Sequence, residues 1–354
     1  MSNVKANQHL GMVYAMSNSV TNKVIAFYRG VNGKLSYLSA YATGGNGTGE
    51  AKVDPLSSQS SLCLSNNNRY LFAVNAGSNN ITSFRISNSG GLTRTDLVDS
   101  GGIRPNSLCT FGDLLYATNA GSETSASRIV GYRIGMDGRL TRIEGATYSL
   151  SRDDAQPACI ASSPNGKLLV VSELNTNLLS VFTVNQDGTL TGPVINNSNG
   201  QGPFGSAFLS TGILLVSEAG ANALSSYNVT GEGVLNVISR SVLNGQKATC
   251  WVNPTPNNLF AFTSNAGSGT ITTYRIKRNG TLSMMNNTAS TRGRVPASPI
   301  DNAVSRDGKN LYVLNGNKGS VSVFRINKDG HLVRLQVIKG QELPMLGAQG
   351  LAVI

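Results

Sequence analysis

Histidine and tryptophan are nearly missing from this chain, which in 354 residues carries only two of the first and one of the second. A Ser-His-Asp relay or a histidine-rich metal centre needs imidazole held beside its partners. Neither is expected when His9 stands near the start and His331 beside a turn at Asp329-Gly330. Cysteine is also sparse: Cys63, Cys109, Cys159 and Cys250 occur in SSLCLS, NSLCTF, QPACIA and ATCWVN, one equivalent place in four separate stretches. Equivalent positions on separate sheets stand further apart than the roughly 6 Å Cα separation a disulfide allows. The four are therefore expected as small buried apolar side chains, which suits a reducing compartment.

Long hydrophobic runs are lacking too. No stretch approaches the roughly 18 to 20 uninterrupted apolar residues of a membrane-spanning helix, and Met1 to Leu10 (MSNVKANQHL) has no basic flank leading into an apolar core. A cytoplasmic location is expected, the alternative being secretion after removal of a leader. Charged residues make up only 13%, with a net charge of +11. The Lys and Arg residues are scattered, without the clustered basic footprint of a nucleic-acid binder. Neither nucleic acid nor membrane is an expected partner.

What the chain does have is Gly, 40 residues of it, with abundant Asn and Ser, the profile of many short strands joined by tight turns. Those strands repeat. Residues 60–100 parse into four of them, SSLCLS, YLFAVN, NITSFRI and LTRTDLV. The second strands of later units read LLYATN, LLVVSE, LLVSEA, LFAFTS and LYVLNG, apolar runs suited to burial on both faces. Third strands carry an aromatic at a fixed place: Phe84, Tyr132, Phe182, Tyr227, Tyr274 and Phe324. Blade-to-blade packing is the expected use of those rings. Between third and fourth strands stand Asn32-Gly33, Gly90-Gly91, Asp137-Gly138, Asp187-Gly188, Asn279-Gly280 and Asp329-Gly330, dipeptides that supply the positive φ of a hairpin turn.

A unit of roughly 47 residues recurring seven times predicts an all-β, seven-bladed β-propeller of four antiparallel strands per blade, in a single domain over 1–354. Blade 1 comprises 11–41 plus 347–354, and the others 59–100, 104–150, 156–195, 202–242, 247–290 and 298–339. The first unit lacks a first strand, and GAQGLAVI at the other end resembles one without a second. The C-terminal strand should thus join the N-terminal blade and close the ring, removing exposed sheet edges. Closure within one chain makes a monomer the expectation. Thr43 to Gln59 is irregular. Its TGGNGTGE lacks the Gly-Lys-Ser/Thr ending and following helix of a phosphate loop, so it reads as an insertion between blades.

First-strand starts and second-strand ends of an antiparallel ring meet at one face, the mouth of the central channel. This reading places Arg104, Gln156, Lys247 and Asp301 there from first strands, with Asn75, Asn119, Glu173, Glu218, Asn265 and Asn315 from second strands. Two carboxylates from adjacent blades, Glu173 and Glu218, flanked by Arg104 and Lys247, suit acid-base work on an anionic or lactone substrate. Glu173, Glu218 and Asp301 with Asn oxygens are also donors that Ca²⁺ would accept. The reading adopted needs no metal and no cofactor.

The units SPNGKLLVVSELNTNLLSVFTVNQDGTL, LLVSEAGANALSSYNV, TSNAGSGTITTYRI and SRDGKNLYVLNGNKGSVSVFRINKDGHL resemble the lactonase family of seven-bladed propellers, over nearly the whole chain. That family includes 6-phosphogluconolactonase and 3-carboxymuconate lactonizing enzymes. The resemblance implies a metal-independent enzyme acting on a small lactone or acidic sugar derivative, using a His with Arg and Glu near the mouth. Glu173 or Glu218 would be the Glu and Arg104 the cation. Where the His belongs, this chain reads Ala155-Gln156-Pro157-Ala158, and glutamine cannot shuttle a proton. Two readings follow. In one, Glu173 or Glu218 activates water while Arg104 and Lys247 bind the substrate anion, with Gln156, Asp301 and the asparagines around it. In the other, a non-catalytic platform binds a protein, peptide or glycan through Asn75, Asn119 and Asn265.

Overall fold

The computed structural model describes residues 9–293 and 295–354. They form 28 strands in seven sheets of four, each sheet antiparallel. Together the sheets make an all-β, seven-bladed propeller. Six sheets run in simple sequence order. The remaining one takes β28 (Leu351–Val353) alongside β1 (His9–Met16), β2 (Lys23–Gly30) and β3 (Leu35–Ala42), with Tyr14 opposite Ala352. The terminal segment therefore closes the ring as its sequence suggested. Among the described residues no helix is long and apolar enough to cross a membrane.

In blades 2 to 7 the second strand is buried from end to end, as in Tyr70–Asn75 and Leu168–Glu173, because blades cover both its faces. Fourth strands such as Leu92–Asp99 are mostly half-buried or open, as a strand on the rim must be. The fixed aromatics Phe84, Tyr274 and Phe324 are at most 1% exposed. Each sits where the register between third and fourth strand shifts. A bulge there raises the local twist and turns the outer strand away. Burying such a ring contributes about 2–3 kcal/mol.

Neighbouring blades are stitched hairpin to strand. Tyr14 donates its hydroxyl to the Gly90 carbonyl at 2.8 Å, Tyr116 to Gly188 at 2.8 Å, and Tyr312 to Gly33 at 2.8 Å. Gly33 has φ 79, and a Cβ there would lie 2.2 Å from the Asn310 amide, so only glycine lets the blade 1 hairpin dock on blade 7. At the same seam Arg29, 4% exposed, donates to Asp307 at 2.7 Å, to Tyr312 Oη at 3.1 Å and to Asn310 Oδ1 at 3.0 Å. Burial alone would raise the Asp307 carboxyl. Arg29 and the Ser305 hydroxyl outweigh it and hold that group below its ordinary range.

The segment 43–60 contains no strand and runs from blade 1 across the mouth face into the axis. Ser58 and Gln59 end there as a hub. Ser58 donates to Asn106 O at 2.7 Å, and its carbonyl accepts from Trp251 Nε1 at 2.9 Å and Gln349 Nε2 at 2.8 Å. The Gln59 amide donates to Val252 O at 3.2 Å and accepts from Val252 N at 2.9 Å, while its backbone N–H reaches Ala158 O at 2.8 Å.

Arg29→Met removes the buried donor shared by the Tyr312 hydroxyl, the Asn310 amide and the exposed Asp307 carboxylate and should lower stability by about 1–3 kcal/mol in urea unfolding. An unchanged midpoint would mean that the seam between blades 7 and 1 is held by packing alone.

Candidate functional site

The hub changes what the mouth can be. Phe204, Trp251 and Ile300, at most 2% exposed, fill the axis with Cys250 at 6%, in one apolar cluster joining blades across the ring. The central channel is therefore filled on its axis beneath the mouth.

Residues at second-strand ends do not face it. Glu173, Glu218, Asn75, Asn119, Asn265 and Asn315 are all 0% exposed. Their side chains turn along the hairpin toward the start of the third strand and the linker arriving from the previous blade. Asn75 Nδ2 donates to Asn80 Oδ1 and Thr82 Oγ1, both at 2.8 Å. Asn265 makes the same pair of bonds to Thr270 at 3.0 Å and Thr272 at 2.8 Å, and Asn315 to Ser320 at 3.2 Å and Ser322 at 2.9 Å. Asn119 lacks a hydroxyl seven residues on and bonds to Ser100 O at 3.1 Å instead. These four side chains are latches that satisfy buried backbone and hydroxyl groups.

The two glutamates are latches of the same kind. Glu173 accepts from Thr176 Oγ1 at 2.9 Å and from the hydroxyls of Ser151 and Ser180. Glu218 accepts from Gly200 N at 2.9 Å and Ser225 Oγ at 2.6 Å. Among the described residues neither forms an ion pair with Arg104 or Lys247, contrary to the arrangement expected. Lys247 is exposed on blade 6, with its backbone N–H on Ser268 Oγ at 2.8 Å. Glu173, Glu218 and Asp301 lie on three different blades, and among the described residues no group of three or more His, Cys, Asp or Glu side chains could hold a metal ion.

Asp301 is placed on the axis, 2% exposed, accepting from Asn302 N and Leu351 N at 3.0 Å each. Asp54, on the insertion, accepts from Gln349 Nε2 at 2.7 Å. Burial pushes Asp54 up to about 7 and Asp301 up to about 8, the latter raised further by Asp54. The four cysteines are free. Burial raises Cys63 to about 11 and Cys159 to about 12, so they are poor nucleophiles.

Arg104 and Gln156 are brought together. They line an off-axis cavity of about 370 Å³ on the mouth face, walled by the insertion from Lys52 to Ser57, by the turn 120–123 of blade 3 and by the linker Asp153–Gln156 entering blade 4. Arg104 (φ 56) and Gln156 (φ 51) both take a left-handed backbone just before a first strand. Each carbonyl then receives an N–H from the turn after the second strand, Ala120 at 2.9 Å and Leu174 at 3.0 Å. Arg104 donates to Glu50 Oε1 and to Pro55 O, both at 3.2 Å. Glu50 also meets Lys52 at 2.5 Å, and Lys52 with Arg104 holds its carboxyl below the usual range. Asp154 is paired with Arg152 at 2.7 Å. Glu123 and Asp153, also in the wall and exposed, have no ion-pair partner among the described residues.

Sequence reasoning placed Arg104 and Gln156 at the mouth but not Lys52, Glu123 and Asp153, which line the same cavity. An insertion read only as a spacer gives no sign of which blades it covers. The latches could have been found. An Asn or Glu followed seven residues later by Ser or Thr recurs at Asn75/Thr82, Glu173/Ser180, Glu218/Ser225, Asn265/Thr272 and Asn315/Ser322.

A closed ring of seven four-stranded antiparallel sheets defines a seven-bladed β-propeller. The family described as Lactonase, 7-bladed beta-propeller matches residues 7–145 and 216–344, and the chain belongs to it. The 6-phosphogluconolactonase of Buchnera aphidicola subsp. Schizaphis graminum is 23% identical over 272 residues, 74% of this chain and 79% of that protein. The periplasmic gluconolactonase of Pseudomonas aeruginosa superposes with a TM-score of 0.75 at 17% identity, covering 97% of this chain and 99% of that one. A candidate 6-phosphogluconolactonase of Bacteroides uniformis gives 0.78 at 17% identity, over 98% and 99%.

Two measurements check this geometry. Glu173→Gln replaces a carboxylate surrounded by donors and should cost about 1–3 kcal/mol of stability; an unchanged melting temperature would remove the latch assignment. Asp54 and Asp301 hold protons more tightly folded than unfolded, so stability should fall as pH rises from about 4 through 7–8 and then level off. Asp54→Asn, with an amide that tolerates φ 53, should flatten that decline in melting temperature between pH 5 and 9. A decline as steep as the parent's would place its origin elsewhere.

Proposed function

We propose that this protein is a hydrolase of small acidic lactones and that its substrate sits in the cavity between the insertion and blades 3 and 4. The observation that carries this reading is the meeting of Arg104 and Lys52 with the carboxylates Asp153 and Glu123, which have no ion-pair partner among the described residues, around about 370 Å³ of space. That volume lies within the range of sites for metabolite-sized ligands.

Ring opening needs a water made nucleophilic, a carbonyl polarised, and a proton for the departing ring oxygen. Asp153 takes the proton of the attacking water. The water oxygen bonds to the carbonyl carbon, the ring C–O bond breaks, and Asp153 returns its proton to the departing ring oxygen to give the hydroxy acid. Arg104, pinned by the Pro55 carbonyl and Glu50, presents guanidinium N–H groups to the substrate's carboxylate or phosphate. The Gln156 side-chain amide, without a partner among the described residues, serves as a neutral donor to the carbonyl oxygen. Glu173 acts one step back, because its bonds to Ser151 fix the linker that carries Asp153 and Gln156. The platform reading loses its support, since Asn75, Asn119 and Asn265 are buried latches with no surface to offer a partner.

The test is pH-stat hydrolysis of 6-phosphogluconolactone, muconolactones and simple γ- and δ-lactones. Asp153→Asn should lower kcat by about 10²-fold or more with an unchanged melting temperature, while Arg104→Gln raises KM for the acidic members. Equal turnover by Asp153→Asn would exclude it as the base, and no turnover on any lactone would overturn the reading.

A further inference from the structure

A second cavity, of about 320 Å³, opens between blades 6 and 7. Thr291, Arg292, Gly293 and Val295 of the linker into blade 7 form one wall. The turn after the second strand of blade 7 and that blade's fourth strand, Leu332–Lys339, form the other. All three segments lie at the mouth-face ends of their strands, but blades 6 and 7 stand across the ring from the lactone cavity.

Four cations converge on this cleft: Arg292, Lys318, Arg334 and Lys339. Among the described residues none of them has a carboxylate partner. Elsewhere the described cations often do, as with Lys23 and Glu342, Arg29 and Asp307, Arg133 and Asp113, or Arg152 and Asp154. The clustering carries a strain of its own. Arg334 is half-buried and donates to the Ala289 carbonyl at 3.0 Å, which aims it at the linker. Burial, and then the neighbouring Arg292, make its guanidinium easier to deprotonate than usual. Like charges gathered without a counter-charge repel one another, and a multivalent anion placed among them removes that repulsion. Val295 and Val337 supply an apolar wall beside the cations.

We infer that the cleft between blades 6 and 7 binds a small multiply charged phosphate compound, an oligophosphate or a multiply phosphorylated metabolite, at a site separate from the lactone cavity. Two arginines give bidentate N–H pairs to phosphate oxygens, and two lysines add point charges. An organic portion would rest on the two valines. The assignment does not depend on the lactonase reading.

Inorganic tripolyphosphate is the probe, titrated calorimetrically into the whole protein at low and at moderate salt. Saturable binding of one equivalent is expected, weakened at least tenfold by the double change Lys318→Gln and Arg334→Gln, and weakened by added salt. The single change Lys339→Gln gives a milder loss, should the double variant be unstable. Orthophosphate should bind more weakly than tripolyphosphate, and ATP more tightly if the valines hold an organic group. Arg104→Gln should leave the affinity unchanged. No saturable heat, several equivalents bound without change in the variants, loss of binding in Arg104→Gln, or tighter binding of a single-stranded oligonucleotide than of any small phosphate would each overturn the assignment.

Discussion

The Gln59 amide, held across the propeller axis, is the contact on which the arrangement of this molecule turns. A ring of sheets packed only side by side leaves its centre to water, and the inner strands then present unpaired backbone groups to the channel. Here one glutamine and the serine before it reach blades 1, 3, 4, 5 and 6 from blade 2, pairing carbonyls and N–H groups that would otherwise be buried without partners. An amide suits the task because it donates and accepts at once, and it carries no charge to desolvate.

Sealing the axis moves the accessible chemistry outward. The insertion that delivers Ser58 and Gln59 must cross the mouth face to get there, and in crossing it walls off the cavity over blades 3 and 4. The charged residues of that cavity come from the insertion, a turn and a linker, while the strands beneath supply the latches that hold those segments still. The charged groups of the proposed site stand on irregular backbone, and the regular ring fixes its position.

Much of the fold was legible because each blade repeats the same solution: buried second strand, fixed aromatic, positive-φ hairpin. Repetition made even the displaced strand Leu351–Val353 recognisable by its missing partner. The site was less legible. Arg104 and Gln156 were readable as first-strand starts, but Glu173 and Glu218 drew attention as rare carboxylates at the mouth. What decides their role is the direction of the side chain at a strand end, and the hydroxyl seven residues on carries that information more directly than charge does. Lys52 and Asp153 were hidden for another reason: the path of an insertion depends on contacts between residues far apart in the chain, such as Gln59 with Val252.

The three-residue strand that completes blade 1 pairs with residues made more than 300 positions earlier. At a synthesis rate of roughly 5–20 residues per second, β1 waits on the order of 20–70 s for that partner. For that interval its edge is open, and the hub residues Ser58 and Gln59 lack the later blades that will hold them. The nascent chain thus carries an early centrepiece and an unpaired edge through most of its synthesis, a period in which edge-to-edge pairing with other chains competes with ring closure.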